Sequence, residues 1–286
     1  MNISINIDTK LIGLLGYPLA QSRSPLMHNT AFEEYSLNKI YLPIEVSSEN
    51  LKTVVDGIKK MNFEGFNVTI PHKVEIIKYI DEIDEYAKAI GAVNTVTVIN
   101  GVLKGYNTDG TGFLRSFEES TKQKIDGKKV FIIGAGGAAR AIALTLAMNK
   151  ARKIYICNRT LEKAEALSND INKIEQDLSC SVPMLFNEIQ EAINDSDVVI
   201  NCTSIGMYPN SELSPIDKKL LNKRLIVCDV VYNPKKTKLI CEAEKIGCEV
   251  VIGLPMFVYQ GVEAFELWTG TKAPINTMLN VVENVL

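Results

Sequence analysis

The chain has 286 residues, of which 46% are hydrophobic and 23% charged, and its formal net charge is −3. This length suits two domains of roughly 150 residues each, and the composition is ordinary for a globular protein. The slightly acidic balance, without any block of Lys or Arg, argues against nucleic acid and against an anionic membrane as partners. We therefore expect the partner to be a small molecule.

The N-terminal and cysteine patterns predict a cytoplasmic protein. Residues 1–10 lack a basic stretch followed by an apolar one, so we expect no signal peptide. No apolar run approaches the ~20 residues that span a bilayer. The six cysteines contain no C-x-x-C pair, and Cys157, Cys202 and Cys228 lie in or beside apolar runs, as buried cysteines do. We predict reduced cysteines and no metal site.

The first third of the sequence alternates strand and helix patterns, which predicts a mixed-sheet α/β domain. Ser24 is the predicted N-cap of the first helix, and Pro25 is expected at the first helical position. A hairpin is predicted with Asn100 and Gly101 in its turn. The predicted elements are strands at 10–16, 39–46 and 65–70, helices at 24–37 and 49–61, and the hairpin over 92–107.

A polar, turn-rich segment over 119–129 precedes a second pattern. It comprises a strand, glycine-rich turn and helix over 130–148, strands at 153–158, 198–201, 225–231 and 249–253 with helices between them, and two final helices. Apolar strands that alternate with helices indicate a parallel sheet covered on both faces. We predict a Rossmann-like, doubly wound domain over 111–253 and a substrate domain formed by 1–110 and 254–286.

The glycine-rich turn predicts a dinucleotide site. Gly134 and Gly136 stand in G-x-G spacing, with Ala139 in the third position, between an apolar strand and a long helix. Glycines there permit a tight turn and a close approach of the backbone to a pyrophosphate, which then lies at a helix N-terminus. A second strand follows, as a Rossmann unit requires.

The end of that second strand favours NADP over NAD. An NAD enzyme is expected to have an acid there that accepts hydrogen bonds from the ribose hydroxyls. This chain instead has Asn158, Arg159 and Thr160, which offer donors and a guanidinium to a 2′-phosphate. The alternative is that Arg159 is an ordinary solvated side chain.

A nicotinamide enzyme that acts on an alcohol or a ketone needs a group that donates and accepts a proton. The two histidines are His28, in the middle of a predicted helix, and His72, which Lys73 follows directly. We predict that Lys73 is the acid and base, that Asp109 in a glycine-flanked loop is its partner, and that His72 is not catalytic. A solvated surface charge is the competing interpretation of Lys73.

Eight segments resemble the shikimate dehydrogenase family in their order and spacing. They are SRSP (22–25), NVTIPHK (67–73), GAVNT (91–95), NTDG (107–110), GAGGAAR (134–140), NRT (158–160), NCTSIGM (201–207) and GLPMFVYQG (253–261). The resemblance extends from about residue 11 to about residue 270. It implies an NADPH-dependent oxidoreductase that reduces 3-dehydroshikimate reversibly to shikimate in aromatic amino-acid (chorismate) biosynthesis.

The resemblance also implies roles for individual residues. Lys73 and Asp109 would be the catalytic pair. The implied substrate contacts are Ser22, Ser24, Thr69, Lys73, Asn94, Asp109, Tyr232 and Gln260. The implied contacts to NADP are Gly134, Ala135, Gly136, Gly137, Ala138, Asn158, Arg159, Thr160, Lys163, Thr203, Met207, Gly253 and Met256. Lys163 stands where several family members have a second arginine, and lysine lacks the bidentate fork, so we expect a weaker preference for NADP here.

Three alternatives stay open beside this interpretation. The first is a dual quinate and shikimate dehydrogenase that uses NAD or NADP, which the NRT segment and the pair Ser22 and Ser24 disfavour. The second is a non-catalytic NADP-binding sensor, which the joint presence of Lys73, Asp109 and the other polar candidates disfavours. The third is a folate-type dehydrogenase, which lacks support in SRSP and NVTIPHK. We expect a monomer or homodimer, without nucleic-acid or membrane partners.

Overall fold

The computed structural model describes residues 5–19 and 22–286. Contacts between residues divide the chain into two compact units. The first unit comprises Met1–Thr108 and Val258–Val285, and the second comprises Asp109–Phe257 with Leu286. Each unit has its own six-stranded sheet, and each is described by itself below.

The first unit contains a mixed sheet. Its strands are β1 (Lys10–Gly16), β2 (Lys39–Glu45), β3 (Phe63–Val68), β4 (Glu82–Ile83), β5 (Thr95–Ile99) and β6 (Val102–Tyr106), in the spatial order β2-β1-β3-β5-β6-β4. Strands β1, β2 and β3 are parallel, whereas β5 is antiparallel to both β3 and β6. The helices that belong to it are α1 (Ser24–Glu34), α2 (Leu51–Ile58), α3 (Glu85–Ile90), the greater part of α9 (Gly253–Thr269) and α10 (Ile275–Glu283).

The predicted hairpin is present, but one predicted strand ends early. Asn100 and Gly101 both have positive φ, 52° and 79°, as the two-residue turn of a hairpin requires. The strand expected over 65–70 is β3, which begins at Phe63 and ends at Val68. Beyond it the His72 N–H donates to the Thr69 carbonyl at 2.9 Å and closes a turn. Thr69 therefore follows the strand instead of belonging to it.

The second unit contains an all-parallel sheet. Its strands are β7 (Lys129–Ile133), β8 (Lys153–Cys157), β9 (Ser179–Val182), β10 (Val198–Asn201), β11 (Ile226–Asp229) and β12 (Glu249–Val251). The spatial order β9-β8-β7-β10-β11-β12 is the 3-2-1-4-5-6 order of a doubly wound Rossmann sheet. This confirms the predicted fold class. The short strands β4 and β9 were not predicted from the sequence.

Helices precede, connect and follow the strands of the second unit. They are α4 (Thr108–Thr121), α5 (Gly137–Met148), α6 (Leu161–Asn172), α7 (Phe186–Asn194), α8 (Lys238–Ile246) and the first turn of α9. Apolar side chains of the strands, such as Phe131, Val199 and Val227, form a buried cluster with Leu239 and Ile240 of α8. The near-continuous apolar strands are explained by burial on both faces of the sheet.

Neither a membrane-spanning helix nor a cluster of metal ligands is present among the described residues. None of the helices in this part of the chain combines the length and the apolar character required to cross a bilayer. No group of three or more His, Cys, Asp and Glu side chains in the same residues is arranged to hold a metal ion.

A close contact joins α9 to the sheet of the first unit. The indole Nε1 of Trp268 donates to the carbonyl of Val96 at 3.0 Å. A Cβ added to Gly65 in β3 would lie 2.2 Å from that Nε1 and 2.5 Å from the Val96 oxygen. Only glycine therefore leaves room for the indole at this point of the sheet.

We predict that Gly65→Ala destabilises the protein by about 1–3 kcal/mol or more, because the added methyl group collides with the indole and with the backbone. Gly57→Ala in α2 is the matched control. Its Cβ would approach nothing closer than Met61 Cε at 3.6 Å, and alanine is favoured over glycine in a helix by about 0.5–1 kcal/mol. Urea unfolding followed by the fluorescence of Trp268, the single tryptophan, measures both effects. Equal midpoints for the two variants would contradict the prediction.

Candidate functional site

Polar candidates of the first unit follow the carboxyl ends of its parallel strands. Ser22 and Ser24 follow β1, and Thr69 and Lys73 follow β3. Asn94 directly precedes β5, which runs in the opposite direction, so it lies at the same edge of the sheet. Ligands of open α/β sheets bind at this edge. The structure therefore brings five of the predicted substrate residues to one edge.

The predicted capping role of Ser24 is wrong. Helix α1 begins at Ser24 itself, so that Arg23 is the N-cap residue and Pro25 the second helical residue, and no side chain caps the helix. The Ser24 N–H donates to Ser22 Oγ at 3.3 Å. Because Ser24 already has helical geometry, its hydroxyl is not aimed at the free N–H groups of the first turn.

The backbone around Lys73 is fixed while its side chain is half-buried. The Lys73 carbonyl accepts from the Val93 N–H at 2.8 Å. The preceding His72 is 1% exposed, and its Nε2 lies 2.6 Å from the Val46 carbonyl oxygen. His72 therefore anchors the turn through a buried hydrogen bond, which supports the prediction that it is not catalytic.

Asn94 belongs to a buried polar network that the sequence analysis missed. Its Oδ1 accepts from the Thr108 N–H at 2.8 Å, and its Nδ2 donates to Thr108 Oγ1 at 3.1 Å. Asn67 of β3 donates to the Asn94 carbonyl at 3.0 Å and to Thr95 Oγ1 at 2.9 Å. Asn67 is only 6% exposed. An asparagine in an apolar strand was the available signal, because a buried amide has to find partners.

Asp109 is on a helix, not in a loop as predicted. It lies in the first turn of α4 and is the first residue of the second unit. A carboxylate is stabilised at this end of a helix by the unpaired N–H groups and the helix dipole. The next residue, Gly110, is in close contact with α5: an added Cβ would lie 2.0 Å from Thr145 Oγ1 and 2.6 Å from the Ala141 carbonyl oxygen.

The glycine-rich turn of the second unit fits a dinucleotide. Gly134 has a φ of +115°, and its N–H donates to the Cys157 carbonyl at 2.7 Å. Gly136 is the N-cap residue of α5. A Cβ added to Gly136 or to Gly137 would meet no atom within 4 Å. Packing within the protein does not explain these two glycines, whereas a pyrophosphate on the exposed N–H groups of α5 does.

The residues predicted for the adenosine end follow the carboxyl end of β8. The Asn158 Nδ2 donates to the Thr160 carbonyl at 2.9 Å, and Arg159 and Thr160 are exposed. Lys163 is exposed in the first turn of α6. The four residues thus follow the carboxyl end of β8, which neighbours β7, the strand that precedes the glycine-rich turn.

A second network, at the ends of β10 and β11, was also missed. Asn201 Nδ2 donates to Asp229 Oδ1 at 3.0 Å, and Asn201 Oδ1 accepts from Thr203 Oγ1 at 2.7 Å and from the Thr203 N–H at 3.0 Å. Asp229 Oδ2 accepts from Thr237 Oγ1 at 2.7 Å. Burial raises the pKa of the Asp229 carboxyl to about 6, although these donors oppose the rise. The network fixes the loop that carries Thr203 and Met207.

The remaining candidates lie on both sides of the boundary near residue 257. Tyr232 stacks on Phe257 in the second unit, with 4.7 Å between ring centroids. Gly253 begins α9, where an added Cβ would lie 2.4 Å from the Val231 carbonyl oxygen. Met256 is buried in the second unit, and Gln260 is half-buried in the first.

A glycine-rich turn on a Rossmann sheet, in a chain whose other unit has a lysine and several hydroxyl and amide side chains at one sheet edge, is typical of nicotinamide-dependent oxidoreductases. Three sequence profiles match the chain. The profile of the shikimate dehydrogenase substrate binding domain matches residues 14–96, that of shikimate / quinate 5-dehydrogenase matches 117–231, and that of the shikimate 5′-dehydrogenase C-terminal domain matches 253–283.

Individual proteins agree with the profiles. The shikimate dehydrogenase (NADP(+)) of Methanocaldococcus jannaschii is 47% identical over 280 residues, which are 97% of this chain and 98% of the relative. A shikimate dehydrogenase crystallised with NADP+ has a TM-score of 0.92 at 43% identity, covering 98% of this chain and 97% of that one. The Listeria monocytogenes shikimate 5-dehydrogenase was crystallised with shikimate and NAD. It has a TM-score of 0.93 at 38% identity, covering 100% of this chain and 99% of that one.

The chain belongs to the shikimate dehydrogenase family. This confirms the predicted family and the predicted class of enzyme, an oxidoreductase. The roles of the individual site residues stay predictions.

His28, the other histidine, is fully buried in the first unit. Its ring stacks on Tyr41 at 4.6 Å between centroids and meets Trp268 edge-on at 5.2 Å. Neither ring nitrogen has a hydrogen-bond partner among the described residues. Burial lowers the pKa of His28 from 6.5 to about 3, so the imidazole is neutral in the folded protein near neutral pH.

We predict that His28 makes the protein less stable as the pH falls below about 6.5. Between the two pKa values the unfolded chain binds one more proton than the folded chain, so unfolding becomes easier by up to ~1.4 kcal/mol per pH unit. His28→Phe removes this dependence while keeping a ring in the stack. Relative to the variant, the wild type should lose about 2–3 kcal/mol between pH 7.5 and 4.5 in urea titrations. Phe32→Leu, a non-titrating change in the same helix, is the control, and parallel pH curves for wild type and His28→Phe would contradict the prediction.

Proposed function

We propose that the chain interconverts 3-dehydroshikimate and shikimate with NADPH and NADP. The observation that carries the proposal is the match over almost the whole length to relatives named shikimate dehydrogenase (NADP(+)). The first unit, residues 1–108 and 258–285, would bind shikimate, and the second unit would bind NADP. The parallel sheet in Rossmann order and the open N-terminus of α5 support the second assignment.

The polar edge of the first unit suits a small polyhydroxylated acid. Shikimate is a ring with a carboxylate and three hydroxyl groups. The hydroxyl and amide side chains of Ser22, Ser24, Thr69, Asn94 and Gln260 offer short-range donors and acceptors to such a ligand. A ligand that lacks one hydroxyl would leave one of these groups unpaired, which costs binding energy. Arg23 is the one arginine among residues 1–110, so we expect the carboxylate to bind mainly to Ser22, Ser24 and Tyr232.

Lys73 supplies the proton in the direction of reduction. When bound, NADPH supplies the hydride that reaches the carbonyl carbon. The Lys73 ammonium gives one proton to the carbonyl oxygen as the carbon–oxygen double bond becomes single, so that the ketone gains a hydride and a proton and becomes the alcohol. In oxidation the neutral amine takes that proton back. Asp109 orients Lys73 and accepts a hydrogen bond from a substrate hydroxyl.

The second unit binds NADP through its backbone and four polar side chains. The N–H groups at the start of α5, with Gly134 to Ala138, hold the pyrophosphate. Asn158, Arg159 and Thr160 hold the 2′-phosphate, and Lys163 adds a point charge without a bidentate fork. Thr203, Met207, Gly253 and Met256 line the nicotinamide end. The Asn201–Asp229 network supports this arrangement, since it fixes the loop of Thr203.

The rivals are distinguished by substrate and cofactor. The match to a shikimate / quinate profile favours testing quinate. The relative crystallised with NAD favours testing NADH. A non-catalytic sensor would bind NADP without reducing it in the presence of shikimate. We further propose a cytoplasmic location, because all six cysteines are unpaired thiols, and a monomer or homodimer.

We predict that Lys73→Met lowers kcat for shikimate oxidation by about 10²–10⁴-fold and leaves the KM for shikimate nearly unchanged, because the proton carrier is lost. Lys78→Met is the matched control. Lys78 is 67% exposed and pairs with Glu75 at 2.8 Å, so its loss should not affect either constant. Steady-state formation of NADPH at 340 nm measures both variants. A Lys73→Met enzyme with near wild-type kcat would refute the assignment.

We predict a higher kcat/KM for NADPH than for NADH. In Arg159→Leu the kcat/KM for NADPH should fall about 10–100-fold while that for NADH stays unchanged, because a charge-assisted hydrogen bond to the 2′-phosphate is removed. Arg152→Leu is the control, since Arg152 directly precedes the amino end of β8, opposite to Arg159. Equal wild-type values for the two cofactors would refute the NADP assignment.

A further inference from the structure

A buried tyrosine belongs to the hydrogen-bond network around Asn94, one of the proposed substrate residues. Tyr41 lies in β2 and is 1% exposed. Its phenol donates to Asn67 Oδ1 at 2.7 Å. Burial raises the pKa of the Tyr41 phenol, and an interaction with the Ser24 side chain opposes this rise. Through Asn67, the Tyr41 hydroxyl belongs to the network that includes Asn94.

The hydrogen bonds of this network have a defined direction. Both Nδ2 hydrogens of Asn67 find acceptors, the Asn94 carbonyl and Thr95 Oγ1. Asn67 Oδ1 is therefore the acceptor of the Tyr41 proton, and the amide cannot be reversed without losing bonds. Thr95 in turn donates to Asn94 Oδ1 at 3.0 Å. The orientation of the Asn94 amide is thereby linked to the Tyr41 hydroxyl through Asn67 and Thr95.

The position of Tyr41 is itself fixed from two sides. The Asn29 side chain of α1 accepts from the Tyr41 N–H at 2.8 Å and donates to the Tyr41 carbonyl at 3.0 Å. The neutral ring of His28 stacks on the phenol ring, with an interplanar angle of 16°. A phenol held in this way cannot turn away to find another partner.

We propose that Tyr41 is a positioning residue for the substrate, because its hydroxyl, through Asn67 and Thr95, fixes the Asn94 amide. The inference rests on the proposed function, in which Asn94 contacts shikimate. Tyr41 has no role toward NADP, since every partner named for it belongs to the first unit.

The test is Tyr41→Phe, which keeps the ring and removes one hydroxyl. We expect the KM for shikimate to rise about 5–50-fold, because the buried Asn67 oxygen loses its donor and the Asn94 amide loses its orientation. The kcat should change by less than about 3-fold, and the KM for NADP should not change. Tyr155→Phe in β8 is the matched control. It removes the hydrogen bond to Asp195 and should leave the KM for shikimate and the KM for NADP at their wild-type values.

A second variant separates positioning from folding. Thr95→Val interrupts the network between Asn67 and Asn94. Because Tyr41 acts through this path, the double variant Tyr41→Phe/Thr95→Val should raise the KM for shikimate by less than the product of the single effects, and a rise equal to that product would contradict the path. Thermal unfolding of every variant checks that the folded state is retained at the assay temperature.

Three outcomes overturn the inference. An unchanged KM for shikimate in Tyr41→Phe overturns the inference and leaves the proposed function intact. Equal losses for shikimate and NADP, with a lowered unfolding temperature, would show a merely structural role. If the wild-type protein neither oxidises shikimate nor binds it by calorimetry, the proposed function fails, and the inference fails with it.

Discussion

Buried polar side chains at the ends of strands must find hydrogen-bond partners inside the protein, and this requirement organises both units. An unpaired buried amide or carboxylate costs about 1–3 kcal/mol or more. In the first unit Asn67 meets the requirement by bonding to Tyr41, Thr95 and the Asn94 backbone. In the second unit Asn201 meets it by bonding to Asp229 and Thr203. In both cases the partners fix a loop or a strand end at the edge where open α/β sheets bind ligands.

Glycines in this fold serve two opposite purposes, and the packing around each glycine shows which purpose it serves. Gly65 and Gly110 are required because another group already occupies the space of a Cβ, the Trp268 indole in one case and α5 in the other. Gly136 and Gly137 have nothing near that space. Open space above the N–H groups of a helix is what an anionic ligand needs. The same residue type therefore packs the fold in one place and leaves room for a ligand in another.

Much of the architecture could be predicted from periodicity and turn chemistry. The Asn100–Gly101 turn and the apolar strands of the second unit follow from local rules, and the structure agrees with them. The errors have physical causes. β3 ends at Val68, and directly after it the chain forms a turn in which the Thr69 carbonyl accepts from the His72 N–H. Asp109 was predicted to lie in a loop because glycines near it are unfavourable in a helix. The first turn of α4 forms nevertheless, since Gly110 packs closely against α5.

The class of fold, the dinucleotide turn and the family can be predicted from the amino-acid sequence, because these depend on local spacing and on ordered motifs. The partners of the buried polar residues are known only from the folded structure. Tyr41 and Asn67 are 26 positions apart, and Asn201 and Asp229 are 28 apart. No periodic pattern links residues at such separations. The order of the strands in each sheet does, because β10 and β11 are neighbours and β2 and β3 lie on the two sides of β1. The side chains that hold the proposed site in place are therefore visible only in the folded protein, because their hydrogen bonds cross between strands instead of following the chain.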